Sequence, residues 1–114
     1  MHLMYDGYVK RTLTKDEAEQ LTLELIRTVD MTPVGPFCWQ EFDALGPSFF
    51  QMIAESHVFG HYYNLDGRPP YLSMEIYSCK PFRVVGAQNF IRDRFGIWEC
   101  RYKNLLDRSF PPLP

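Results

Sequence analysis

Residues 53–61, IAESHVFGH, gather a carboxylate, a hydroxyl and two imidazoles (Glu55, Ser56, His57 and His61) in a stretch otherwise built for a β-strand. Ile53, Val58 and Phe59 are what a strand requires there; Glu55-Ser56-His57 are not. The two histidines are four apart, a spacing with which a helix face can hold a metal, but the segment suits a strand better and supplies no third ligand. Serine with histidine is also the raw material of a hydrolase, yet the chain has no G-x-S-x-G elbow. Taken alone, the stretch also reads as a hairpin with polar residues at its bend.

The elements that must position these groups follow from periodicity and punctuation. Residues 2–9 are short and apolar-rich, a first strand. Thr14 and Glu17 form a T-x-x-E capping box, and Leu21, Leu25, Ile26 and Val29 recur at helical spacing, predicting an amphipathic helix over 15–29. Residues 33–42 predict a second strand, interrupted at Pro36, and 43–47 are turn chemistry. A third strand (48–55), a fourth (57–63), a loop (64–70) and a fifth strand (71–79) follow. Pro81 opens a second helix continuing over 82–95, with Val84, Val85, Phe90, Ile91 and Phe95 on its apolar side, and Gly96 ends it. Residues 97–103 make a sixth strand, and the prolines of the tail oppose regular structure. The order β-α-β-β-β-β-α-β, with short links between strands, implies an α+β two-layer sandwich: an antiparallel sheet with two helices on one face.

Composition bounds the rest. The chain has 114 residues, 46% of them hydrophobic and 16% aromatic, which is one domain with ample core. A formal net charge of -2 offers no basic footprint for nucleic acid. No run of 18 apolar residues predicts a membrane span, and the N-terminus lacks the pattern of a secretory signal. Cys38, Cys79 and Cys100 form no CxxC pair and suggest reduced thiols in a cytoplasmic protein. Cys38 and Cys100 read as core thiols, and Trp39, Tyr62, Tyr63 and Trp98 as sheet-face packing.

Several spacings taken together resemble the bacterial S-adenosylmethionine decarboxylase proenzymes, whose hallmark is a Glu-Ser-His cleavage site followed by a histidine and then a cysteine. AESH supplies Glu55-Ser56, His61 lies five residues past Ser56, and IYSC is similar to the family's strand ending in a cysteine, here Cys79. Upstream, FDALGPS resembles the family's F-x-x-x-G-x-S and gives Phe42, Gly46 and Ser48. The resemblance covers nearly the whole chain and implies a single domain that cleaves itself between residues 55 and 56. Ser56 Oγ would attack the Glu55 carbonyl, with Ser48 helping to stabilise the intermediate. His61 would remove the Ser56 α-proton, and elimination would leave a pyruvoyl group at position 56. That group is the cofactor, an electron sink in place of pyridoxal phosphate, and Cys79 would return a proton to the substrate. The implied substrate is a small amino-acid-type molecule, S-adenosylmethionine on the way to spermidine. His57 is expected to be structural.

Two departures touch substrate recognition. Where the family runs H-T-W-P-E, this chain reads HYYNLDGRPPY, so Leu65 occupies the position of the glutamate expected on the ribose. Asp66 is the nearest substitute, Tyr63 replaces the tryptophan as an aromatic wall, and Phe42 remains to stack on adenine. Lys80 follows Cys79 where the family has glycine. These departures keep open a pyruvoyl decarboxylase of another amino acid, such as arginine or ornithine, and a non-processing partner protein. A strand rises about 3.3 Å per residue, so a continuous third strand would separate Ser48 from Ser56 by roughly 26 Å. If both serve one site, Ser48 comes from a second copy. The resemblance implies the same, a homodimer with shared active sites in which Phe42, Ser48 and His61 come from one protomer and Ser56 and Cys79 from the other.

Overall fold

A computed structural model describes residues 1–108. Six strands and two helices follow in the predicted order: β1 (His2–Val9), α1 (Lys15–Thr28), β2 (Cys38–Gln40), β3 (Ser48–Ile53), β4 (Ser56–Tyr63), β5 (Tyr71–Ser78), α2 (Val84–Arg94) and β6 (Ile97–Leu106). They form one antiparallel sheet in the order β2-β3-β4-β5-β1-β6. The fold is the expected α+β sandwich, with both helices packed on one face of the sheet.

Strand alternation decides which side chains reach the core. Leu3, Tyr5 and Val9 of β1, Phe49 and Ile53 of β3, Val58 and Tyr62 of β4, and Leu72, Met74 and Ile76 of β5 are buried beneath the helices. Against them lie Leu25 and Ile26 of α1 and Ala87 and Ile91 of α2. The other sheet face carries His2, Asp6 and Tyr8, Ser48, Phe50 and Met52, His57, Phe59, His61 and Tyr63, and Ser73, Glu75 and Tyr77, partly or fully exposed. It has no covering layer among the described residues. Ser48, His57 and His61 fall on that open face, whereas Ser56, paired with buried Ile53 and Ser78, is in step with Val58 and Tyr62 at the edge of the core.

At the start of α1 the capping box is complete: Thr14 Oγ1 accepts from the Glu17 amide at 3.2 Å and Glu17 Oε1 accepts from the Thr14 amide at 3.1 Å. Arg11 forks onto Glu17 at 3.0 and 2.7 Å, and its hydrogen bonds hold that carboxyl down at about 2. Several boundaries differ from expectation. The second strand shrinks to Cys38–Gln40, because the prolines at 33 and 36 offer no ladder donor; only Pro33 forms an isolated bridge, to Ile53. The third strand stops at Ile53, and residues 54–55 make the turn that allows Ser56 to open β4. The second helix begins at Val84, not at Pro81, and Val85 is 68% exposed rather than apolar core. β6 runs three residues past its predicted end, since its ladder with β1 continues through His2↔Leu106. Thus 105–106 are strand rather than tail; residues 109–114 lie outside the described residues. Cys38 and Cys100 are exposed, not core, because both sit on the short or outermost edge strands of the sheet.

Candidate active site

The β3–β4 hairpin carries two polar centres, one at each end, with His61 and His57 on the open face. At the far end, Ser48 pairs with His61 across the ladder, and Ser48 Oγ lies 2.5 Å from His61 Nδ1. His61 Nε2 is 3.0 Å from the Leu45 carbonyl oxygen. A carbonyl can only accept, so Nε2 carries the proton and Nδ1 accepts from the Ser48 hydroxyl. The carbonyl reaches the ring through the 42–47 turn, closed by the Gly46 amide donating to the Phe42 carbonyl at 3.0 Å. Gly46 has φ +85°, and a Cβ there would stand 2.2 Å from the Tyr62 carbonyl oxygen, so only glycine fits this turn. Tyr63 packs edge-on against His61 with ring centroids 4.3 Å apart.

At the turn end, Ser56 opens β4 opposite Ser78. Ser56 Oγ lies 3.0 Å from His57 Nδ1, and His57 Nε2 lies 3.4 Å from Glu75 Oε1. The other Glu75 oxygen meets His2 Nε2 at 2.9 Å. The His57 ring stacks on Phe50 and tilts against Tyr77, both at centroid distances of 5.6 Å. The carbonyl oxygen of Glu55, the group preceding Ser56, accepts the Cys79 amide at 2.9 Å. The Glu55 carboxylate is occupied elsewhere: Oε1 accepts from the Thr32 amide at 3.2 Å and Oε2 faces Lys80 Nζ at 3.8 Å.

These contacts sort the predicted site residues. Glu55, Ser56 and Cys79 come together, and so do Ser48 and His61. The two sets do not meet within one chain. Five ladder positions separate Ser48 from the Ile53↔Ser56 pair, about 17 Å along the strand. The continuous third strand assumed for a separation of roughly 26 Å is therefore replaced by a hairpin, but the conclusion that one chain keeps the two serines apart stands. Ser48 does not support the carbonyl of Glu55 in the same chain; the donor on that oxygen is the Cys79 amide.

Phe42 is exposed at the mouth of the 42–47 turn. Tyr63 and Leu65 line an open cleft with Tyr8, Arg68, Pro69 and Tyr71, whereas Asp66 stands exposed in the neighbouring turn and forms none of its walls. The residues missed by sequence reasoning are Glu75 and His2, together with the direct contact of His57 to Ser56. Their signal was alternation: Glu75 falls on the open face of β5, where Phe59 is its β4 partner and His57 is two residues away.

The sequence matches the S-adenosylmethionine decarboxylase family over residues 1–108. The chain belongs to that family. No curated protein and no solved structure matches it. Membership carries an S-adenosylmethionine decarboxylase-like role, and no helix among the described residues is long and apolar enough to cross a membrane.

Proposed function

We propose that the chain is a self-processing, pyruvoyl-dependent decarboxylase that acts in the cytoplasm on S-adenosylmethionine for polyamine synthesis, its cofactor made from Ser56. The observation that carries this reading is the turn end of the hairpin. In a chain of this family, the Glu55 carbonyl is fixed by an amide donor and the adjacent Ser56 hydroxyl is hydrogen-bonded to an imidazole. Position 56 also suits the group: its pairing with Ser78 keeps it the first residue of β4 after cleavage, beside Cys79. The pyruvoyl ketone supplies a sink for the electron pair left when CO2 departs.

Around it the chain's own residues have separate tasks. His61, its Nε2 proton committed to Leu45 and its Nδ1 lone pair to the Ser48 hydroxyl, takes up the Ser56 α-proton by way of that hydroxyl, which passes its own proton to Nδ1. Cys79 delivers the proton returned to the substrate α-carbon. Phe42 and Tyr63 are the aromatic surfaces for a flat substrate ring, and Asp66 is the carboxylate nearest to the ribose position. Since Ser48 and His61 lie about 17 Å from Ser56 along the hairpin, they act on the Ser56 of a second copy in a two-fold dimer.

The test is the intact mass of the purified protein under denaturing conditions. Fragments 1–55 and 56–114, the second bearing pyruvoyl in place of Ser56, are expected. A single full-length mass after long incubation would leave a non-processing partner protein. One observation keeps a second substrate open: the cleft that Leu65 lines has no carboxylate to hold ribose hydroxyls. A pyruvoyl decarboxylase of an amino acid such as arginine or ornithine would turn those substrates over faster than S-adenosylmethionine. In the first reading Leu65→Glu raises activity on the adenosyl substrate; in the second it does not.

A further inference from the structure

We propose that His57, oriented by Glu75, is the base that activates Ser56 for the acyl shift opening self-cleavage, leaving His61 only the later elimination. The inference rests on the self-processing reading and divides its proton transfers between two histidines. Glu75 Oε1 can only accept, so His57 Nε2 carries a proton and Nδ1 faces Ser56 Oγ with its lone pair free at 3.0 Å. His2, on the second carboxylate oxygen at 2.9 Å, holds Glu75 in place. Phe50 and Tyr77 fix the ring plane. A serine, an imidazole and a carboxylate in series form the arrangement that activates hydroxyl nucleophiles. The Cys79 amide already stands on the oxygen where negative charge develops.

Within one chain neither alternative base has this geometry. The Glu55 carboxylate is held by the Thr32 amide and faces Lys80, and His61 of the same chain is at the opposite end of the hairpin.

The step balances within the chain. Ser56 Oγ bonds to the Glu55 carbonyl carbon as its proton passes to His57 Nδ1, and the carbonyl oxygen becomes an oxyanion held by the Cys79 amide. The bond from that carbon to the Ser56 nitrogen then breaks. The nitrogen takes the proton back from His57, leaving an ester on Oγ and a free amine at Ser56. Removal of the Ser56 α-proton by His61 afterwards breaks the Cβ–Oγ bond, releasing chain 1–55 with a C-terminal carboxylate and leaving dehydroalanine at position 56.

Neutral hydroxylamine cleaves the ester and not the amide, so it separates the two steps. Full chains are made by cell-free synthesis, sampled over time, treated with hydroxylamine and weighed intact. Wild type is expected to yield fragments unaided. His61→Ala stays full length, yet hydroxylamine splits it between residues 55 and 56. His57→Ala stays full length and resists hydroxylamine, and added imidazoles restore ester formation at rates that rise with their basicity, a response open only to a folded chain. Glu75→Gln, which keeps the side chain's shape, slows ester formation by about 10²-fold. Ester formation at the wild-type rate in either His57→Ala or Glu75→Gln overturns the assignment while the self-processing reading stands. Failure of imidazoles to restore the ester in His57→Ala also overturns it. A wild-type chain that stays full length and resists hydroxylamine overturns the self-processing reading, and the assignment with it.

Discussion

Single side chains on the open face carry opposing demands of chemistry and stability. Asp6 faces Ser73 across the ladder and accepts from Ser73 Oγ at 2.9 Å and from the Met74 amide at 3.2 Å. Burial nevertheless outweighs those bonds and raises its carboxyl above the ordinary range. A folded-state value above the unfolded one means that the charge opposes folding; stability is lost as pH rises from about 4 through the folded value. Asp6→Asn retains an oxygen for both donors and removes the charge. It is expected to raise the melting temperature at pH 7, with the gain gone below about pH 3, where both forms are neutral. Cys79 divides differently, since its amide serves the Glu55 carbonyl and its thiol the substrate. Cys79→Ala keeps the amide, so intact mass should show self-cleavage within a few-fold of wild type, while decarboxylation falls by about 10²-fold or more. Loss of cleavage in this variant would mean that the thiol itself acts on the scissile bond.

Elements position these groups through the fit of the hairpin onto the core. Gly60 lies between the two polar centres, directly above the Phe49 ring, and an added Cβ would meet Phe49 Cζ at 2.1 Å. Phe49 also stacks with Trp39 and Phe95 and tilts against Phe37 and Tyr62, so the ring has nowhere to move. Gly60→Ala is expected to cost about 3 kcal/mol in chemical denaturation. Phe49→Leu should cost less in that background than in wild type, the signature of a shared clash. None of this could be read from a glycine in a strand pattern. The sequence was most informative where one residue type has one purpose: the capping box at Thr14 and Glu17, the period of Leu25 and Ile26, the alternation along β5. It failed where partners decide. β2 shortened for want of donors, β6 lengthened because β1 had a free ladder to offer, and Val85 turned outward because α2 begins only at Val84. The Glu55-Ser56 motif and Cys79 were legible, but Glu75 is one more exposed-looking carboxylate until the register sets it beside His57.

At the scale of the whole molecule, the open sheet face poses a geometric problem with a definite solution. His57 and His61 point from the same face of β4, four residues and about 13 Å apart, one in each polar centre. Half-exposed Phe50 and Phe59 pair between them, with Met52 exposed nearby. In the proposed dimer, a two-fold axis passing between the centres sets the Ser56 end of each chain against the His61 end of the other and covers the apolar residues between. The arrangement assigns the first proton transfer to groups within one chain and the second to its partner, so the two steps should respond differently to mixing. Chains carrying His61→Ala, expected to stop at the ester by themselves, are co-expressed with Ser56→Ala chains, which never cleave but bring an intact His61. Mixed dimers should let the His61→Ala chains complete cleavage to fragments, while the Ser56→Ala chains remain whole. Decarboxylase activity follows the same rule: co-expressed Ser48→Ala and Ser56→Ala chains should recover roughly a quarter of wild-type activity, since half of randomly paired dimers are mixed and each holds one complete site. His61→Ala chains that remain at the ester in such mixtures, with mixed dimers verified by mass, would rule out a partner's histidine and require the hairpin to bend until its own two ends meet.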